Sequence, residues 1–175
     1  MTSRISDCGL RIATRVRRAI RIQQPAIVIL LSACAPGTTR PAFLPYPEAL
    51  TAIVNAPPAR AIAEATGFFA GEGVQVSFVN PADGFLETTW YDTRTHRSAP
   101  GNAESADLSS TVKIRCWADP DVPGKARFTV EPVYRPALDP SRPERDLEVM
   151  VPIGSDGYRI AQRLLAELAQ KFGGQ

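Results

Sequence analysis

The chain has 175 residues, of which 20 are basic and 18 acidic, so its formal net charge is +2. That length fits one domain of ordinary size. The near balance of charge argues against a nucleic-acid-binding protein, which usually carries a clear basic excess.

The first recognisable feature is a short apolar run behind an arginine-rich start. The run covers residues 25–31, and the small residues Ser32 and Ala33 come directly before Cys34. The arginines nearest to it are Arg15, Arg17, Arg18 and Arg21. A signal peptide needs this order: a positive start, an apolar core of about 7–15 residues and small residues at the cleavage site. The run is too short to span a bilayer, which takes roughly 20 apolar residues.

The segment Leu31-Ser32-Ala33-Cys34 resembles the lipobox of bacterial lipoproteins. The resemblance implies cleavage before Cys34 and a diacylglycerol on its sulfur. Ala35 rather than an aspartate follows, and by resemblance to enterobacterial sorting this implies the outer membrane. The alternative is a buried strand or helix with a chance cysteine, but it does not explain the arginines upstream. We therefore predict a signal peptide over residues 1–33 and a lipid-anchored chain on the periplasmic face.

Removal of residues 1–33 changes the balance of charge. It takes away six arginines and one aspartate, which leaves 14 basic and 17 acidic side chains and a net charge of −3 over 142 residues. No basic bias remains, so we expect no nucleic-acid partner. Besides the lipidated residue only Cys116 is left, so no internal disulfide can form, and we expect Cys116 to be buried on a strand.

Residues 34–48 are predicted to form the lipidated N-terminus and a proline-rich tether. Four prolines between residues 35 and 47 favour an extended, semi-rigid spacer. Two interpretations stay open for Phe43, Leu44 and Tyr46: they dock on the domain, or they belong to a plain linker. Residues 49–175 are predicted to form a single domain.

Within this domain the hydrophobic pattern predicts the order β-α-β-β-β-β-α. One helix begins at Pro57–Pro58 and ends near residue 70, and a last helix covers residues 155–172. The predicted strands are residues 50–55, 74–79, 85–91, 111–118 and 126–134, with a short edge strand within 147–151. Residues 92–109 are predicted to be a long polar loop.

Most of these strands are consecutive, so we expect an antiparallel sheet. Both helices then cover one face of it, which gives a two-layer α+β sandwich. The second face is expected to be solvated. Alternation in the strand at 111–118 places Val112, Ile114 and Cys116 toward the helices, and Lys113, Arg115 and Trp117 on the solvated face.

Two stretches resemble the BamC-like lipoproteins. They are VNAPPARAIAEA, continued by GFFAGEGVQV, and NPADGFLETTWYD, all within residues 51–92. The resemblance implies a helix-grip fold and a place in or near the outer-membrane β-barrel assembly machinery. Those relatives carry two such domains and a long N-terminal segment, whereas this chain has one domain and a short tether.

The predicted solvated face is the candidate binding surface, because aromatic and basic side chains together are typical of binding hot spots. The candidates on this face are Tyr91, Lys113, Arg115, Trp117 and Arg127. The alternative is an ordinary solvated face held by cross-strand pairs such as Glu87–Arg115.

No catalytic or metal-binding pattern is apparent in the sequence. His96 is the only histidine and lies in the predicted polar loop, without the further ligands that a metal site needs. We therefore expect no cofactor, no metal and no enzymatic activity. The expected function is a binding or scaffolding module that acts in envelope assembly with an envelope protein as partner. The rival class is a small-ligand binder with a pocket between sheet and helices.

Overall fold

The structure is a computed structural model, and it describes residues 40–99 and 110–173. The signal peptide, the cleavage residues Leu31, Ser32 and Ala33, and the lipidation site Cys34 lie outside the described residues. They stay predictions. In the part of the chain that is described, no helix is long and apolar enough to cross a membrane.

The described residues form eight strands and three helices. The strands are β1 (Leu50–Val54), β2 (Val76–Asn80), β3 (Phe85–Thr88), β4 (Tyr91–Asp92), β5 (Arg97–Ser98), β6 (Thr111–Pro120), β7 (Ala126–Tyr134) and β8 (Val149–Met150). The helices are α1 (Pro58–Gly71), α2 (Glu144–Leu147) and α3 (Asp156–Phe172).

All of the strands pair in antiparallel fashion within one open sheet. The central order is β1-β7-β6-β3-β2, while β4 pairs with β6, β5 with β4, and β8 with β7. The long hairpin of β6 and β7 forms the middle of the sheet. Together with the helices this confirms the predicted antiparallel α+β fold, which is consistent with a two-layer sandwich.

The hydrophobic core lies between the sheet and the two long helices. Pro58 opens α1, where its missing N–H is not needed, and the Ser155 hydroxyl caps α3 by accepting a hydrogen bond from the Tyr158 N–H. The apolar faces of both helices then reach the sheet. Fully buried side chains come from α1, β6, β7 and α3, namely Ile62, Phe69, Ile114, Cys116, Phe128, Val130, Leu164 and Leu168.

The second face of the sheet is covered, so the expectation that it is solvated is wrong. Lys113, Arg115, Trp117 and Glu131 are all buried there. Residues 40–48 and the short helix α2 supply side chains that contact this face. Alternation along β6 had assigned the side of each residue correctly, but it does not reveal what packs on that side.

A bulge between β3 and β4 moves Tyr91 to the face opposite to the predicted one. Glu87 pairs with Arg115, but Tyr91 pairs with Val112, so four residues advance on one strand while three advance on the other. One extra residue moves every later side chain to the opposite face. Tyr91 consequently joins the helix-side core, and the indole of Trp90 lies on the second face.

The predicted long loop at 92–109 begins with a small hairpin. Strand β4 turns at residues 93–96 and returns as β5. The Asp92 carboxylate accepts hydrogen bonds from the backbone N–H groups of Arg94 and Thr95, which holds the turn. His96 closes the turn with φ of 55°, in the left-handed region. The remainder of that predicted loop, residues 100–109, lies outside the described residues.

Replacement of Leu164 or Leu168 by alanine should lower the free energy of unfolding by about 2–5 kcal/mol, because each fully buried side chain leaves a cavity. Leu165, on the same helix but only partly buried, is the matched control and should lose clearly less as alanine. Denaturant unfolding monitored by circular dichroism measures all three. Equal losses at the three positions would contradict the docking of α3 on the sheet.

Candidate functional site

The second face holds a cluster of buried charges centred on Arg115, in the middle of β6. Its guanidinium donates two hydrogen bonds to the Glu148 carboxylate, with N–O distances of 2.6 and 2.8 Å. It also donates from Nε to Glu87 on β3, and from Nη1 to Glu131 on β7 at 3.3 Å. The predicted Glu87–Arg115 cross-strand pair is therefore present, with Arg115 buried and Glu87 partly exposed.

Arg145 of α2 completes this charge cluster from the other side. It donates from Nη1 and Nη2 to the two carboxylate oxygens of Glu131, at 2.6 and 3.0 Å. The side chains of Glu131 and Glu148 have no exposed surface. The charge cluster is thus two arginines and three glutamates, Glu87, Arg115, Glu131, Arg145 and Glu148, with one excess negative charge.

Hydrogen bonding keeps the Arg115 guanidinium ionised despite its burial. Burial lowers the pKa of the Arg115 guanidinium, but the hydrogen bonds and negative charge of Glu148 and Glu87 outweigh it and raise that pKa above its ordinary value. Arg115 therefore keeps its charge at every pH at which the protein is folded. A proton-transfer role for this arginine does not fit such a setting, whereas a structural role does.

The segment at 40–48 docks on this charge cluster, which settles the interpretation left open for Phe43 and Tyr46. The Phe43 ring packs edge-on against Trp117, with centroids 6.3 Å apart, and under the Arg145 guanidinium at 4.5 Å. Tyr46 donates its backbone N–H to Glu131 at 2.7 Å and its hydroxyl to the Glu148 carbonyl at 2.8 Å. Leu44 is exposed between them.

A salt bridge fixes the start of this segment at the opposite end of the same face. The Arg40 guanidinium donates to the Asp119 carboxylate at 2.6 Å, close to where β6 ends. The chain therefore crosses the second face from the turn of the β6–β7 hairpin to the charge cluster and then turns into β1. We call residues 40–48 the docked segment.

The five residues of the predicted binding surface do not form one exposed surface in the structure. Arg115 and Trp117 lie under the docked segment, and Tyr91 lies on the helix side of the sheet. Lys113 is buried on the second face, where it pairs with Glu144 at 2.6 Å. Arg127 remains accessible, with 60% of its side chain exposed and a 3.5 Å pair to Asp121. A partner could reach Arg115 or Trp117 only after the docked segment had left the sheet.

A separate cleft of about 570 Å³ lies between α3, the end of α1 and the β4–β5 hairpin. Tyr91 and His96 form one wall, where the Tyr91 hydroxyl and His96 Nδ1 are 3.1 Å apart. Arg163 of α3 forms another wall with Glu72, to which it donates two hydrogen bonds. Burial, together with the negative charge of Glu72, raises the pKa of the Tyr91 hydroxyl, so Tyr91 stays protonated at neutral pH.

Cys116 lies on β6 with no exposed surface, as predicted. Burial raises the pKa of its thiol, which makes a reactive thiolate unfavourable. Within residues 40–99 and 110–173, no group of three or more His, Cys, Asp or Glu side chains could hold a metal ion.

No protein-family model matches this chain, and no curated protein matches it in sequence.

Sequence reasoning missed Arg145, Glu148 and Glu131 as a buried group. Glu131 alternates with core residues on β7, which placed it on the second face but gave no reason to expect burial. The prolines between residues 136 and 143 argue against regular structure there, yet α2 begins directly after Pro143. One feature of the sequence could have indicated this group: Arg145 and Glu148 are opposite charges three residues apart, beside an edge strand.

Replacement of Arg115 by glutamine should lower the free energy of unfolding by about 3–5 kcal/mol, because it leaves buried carboxylates without their counter-charge. The control is Arg127→Gln on the neighbouring strand, which removes the same charge from an exposed pair and should cost less than about 1 kcal/mol. Urea unfolding of both variants measures the difference. Similar losses for the two would mean that the cluster is hydrated in solution.

Proposed function

We propose that the chain is a lipid-anchored protein of the outer membrane that faces the periplasm and acts as a non-enzymatic binding or scaffolding module. Two observations support the proposal. The sequence places a lipobox-like Leu-Ser-Ala-Cys motif behind an apolar run and arginines. The residues that follow Cys34 most closely in the described structure are held on the domain by the Arg40–Asp119 salt bridge and by the charge cluster.

The docked segment limits how far the domain can move from such an anchor. Six residues, 34–39, connect the proposed lipid site to Arg40, and a fully extended chain of that length spans roughly 20 Å. Arg40 is held at Asp119, beside the β6–β7 turn.

The partner in this proposal is another protein of the envelope. The resemblance to BamC-like lipoproteins makes the β-barrel assembly machinery the first candidate partner. Affinity capture of the detergent-solubilised protein, followed by mass spectrometry, tests it. Recovery of barrel-assembly subunits with the wild-type protein, and their absence from a capture of an unrelated lipoprotein, would support it.

Replacement of Cys34 by alanine should abolish fatty-acid labelling and leave an unprocessed or soluble protein, because a single lipid site is proposed to hold the chain. Metabolic labelling with a fatty acid, together with membrane fractionation, measures both effects. The matched control is Cys8→Ala, which changes a cysteine inside the predicted signal peptide and should leave labelling intact. Labelling that persists in the Cys34 variant would refute the anchor.

A second candidate function is small-ligand binding, and the cleft beside Tyr91 is the observation that favours it. A volume of about 570 Å³ falls within the range of ordinary ligand sites. The cleft lies at the margin of the helix layer, whereas the space between sheet and helices is filled by the core side chains. A small molecule retained by the purified protein in native mass spectrometry would favour this function over scaffolding.

A further inference from the structure

The cleft beside Tyr91 carries an ion pair on each of two walls. Arg163 of α3 donates from Nη1 and Nη2 to the two carboxylate oxygens of Glu72, at 3.0 and 2.5 Å. About one turn earlier on the same helix, Arg159 donates to the Asp156 carboxylate. All four of these side chains line the cleft. Each arginine of the lining thus already holds an acid, and the four charges cancel.

The two ion pairs leave hydrogen-bonding groups unused among the described residues. A guanidinium has five N–H donors, and a carboxylate has about four acceptor positions. Arg163 and Glu72 use two each in their pair, and Arg159 uses one donor toward Asp156 and one toward the Gly154 carbonyl. The two arginines and Asp156 are between 57% and 61% exposed, and Glu72 is 28% exposed. The cleft therefore offers accessible donors and acceptors side by side.

His96 and Tyr91 add an aromatic wall to these polar groups. The Tyr91 hydroxyl lies 3.1 Å from His96 Nδ1, and the two rings meet edge-on with centroids 6.4 Å apart. Because Tyr91 is buried, it holds the exposed imidazole in place. Ile160 of α3 adds an apolar side chain to the lining. A fixed ring beside placed donors and acceptors suits a ligand that has both C–H surface and polar groups.

Such a lining favours a neutral ligand over a charged one. An anion drawn to Arg163 meets the Glu72 carboxylate at the same place, and a cation drawn to Glu72 meets Arg163, so either ion is repelled or displaces an existing partner. A hydroxyl group accepts from an arginine N–H and donates to the adjacent carboxylate while the pair stays intact. The charged residues of the neighbouring hairpin are outside the lining, namely Asp92, Arg94 and Arg97.

We propose that the cleft binds a neutral saccharide, held by its hydroxyl groups between the Arg163–Glu72 and Arg159–Asp156 pairs with a sugar ring against His96. The cleft volume of about 570 Å³ lies within the range of small-molecule sites. The inference rests on the second candidate function, small-ligand binding, and names the class of ligand. It depends neither on a lipid anchor nor on a protein partner.

Nuclear magnetic resonance of the untagged full chain in an uncharged polyoxyethylene detergent tests the ligand class. His96 is the only histidine, so its imidazole C–H resonances report on the cleft, while the indole N–H of Trp117, buried on the second face, is the reference. The neutral probes are maltose, cellobiose and N,N′-diacetylchitobiose, and the anionic probe is digalacturonate. We expect the His96 resonances to move and saturate with at least one neutral disaccharide, and digalacturonate to bind at least about tenfold more weakly.

The variant Arg163→Gln should weaken binding of that neutral disaccharide at least about tenfold, since it removes donors and leaves Glu72 unpaired. Lys171→Gln is the matched control: it also removes a positive charge from α3 that is paired with an acid of α1, Glu64, but neither residue lines the cleft. This control should leave the titration unchanged. Glu72→Gln leaves the Arg163 charge uncompensated and should raise the affinity for digalacturonate above that of the wild-type protein.

Saturation by none of the neutral disaccharides, or digalacturonate binding as tightly as they do, would overturn the inference. Neither result decides small-ligand binding itself, which native mass spectrometry of the purified protein tests separately. A neutral disaccharide whose titration is the same in Arg163→Gln and Lys171→Gln would bind elsewhere, and the assignment to this cleft would be wrong. Should Arg163→Gln fail to fold by circular dichroism, the response of Glu72→Gln to digalacturonate decides, and no gain in affinity would contradict the proposal.

Discussion

The second face of the sheet depends on one side chain, the Arg115 guanidinium in the middle of β6. Removal of a charge from water is expensive, and a buried arginine is tolerated only when carboxylates satisfy its donors. Here Glu148 binds it with two hydrogen bonds, and Glu87 and Glu131 approach from the two neighbouring strands. These three carboxylates come from three places in the chain, and they meet around Arg115 only when the sheet and the residues around α2 are both in their final positions.

The docked segment follows from this arrangement. The charge cluster has one more carboxylate than guanidinium groups. A carboxylate oxygen of Glu131 accepts a hydrogen bond from the backbone N–H of Tyr46. Arg145, which balances Glu131, also lies over the rings of Phe43 and Tyr46, at 4.5 and 4.1 Å. Contact of this kind stabilises by about 0.5–2 kcal/mol, more where water is excluded. The same arginine thus connects α2, the sheet and the chain that leads toward Cys34.

Much of the fold could be predicted from the sequence because local hydrophobic patterns determine its strands and helices. The alternation along β6 separates Val112, Ile114 and Cys116 from Lys113, Arg115 and Trp117, and the structure keeps that division. The bulge before Tyr91 could not be predicted, since an inserted residue changes pairing without changing propensity. Burial of the second face could not be predicted either, because it depends on contacts between residues about 70 to 100 positions apart, such as Tyr46 with Glu131.

Hydrogen exchange at the backbone amide of Tyr46 tests the docked segment most directly, because that N–H donates to the buried Glu131 carboxylate at 2.7 Å. The amide of Cys116 in the central strand is the reference for global opening. The account predicts that exchange at Tyr46 is slowed on the order of 100-fold or more relative to an unstructured peptide. It also predicts that Arg145→Gln removes much of this protection while Cys116 keeps its own. Exchange at Tyr46 at the rate of an unstructured peptide, with Cys116 protected, would show that residues 40–48 do not dock on the sheet.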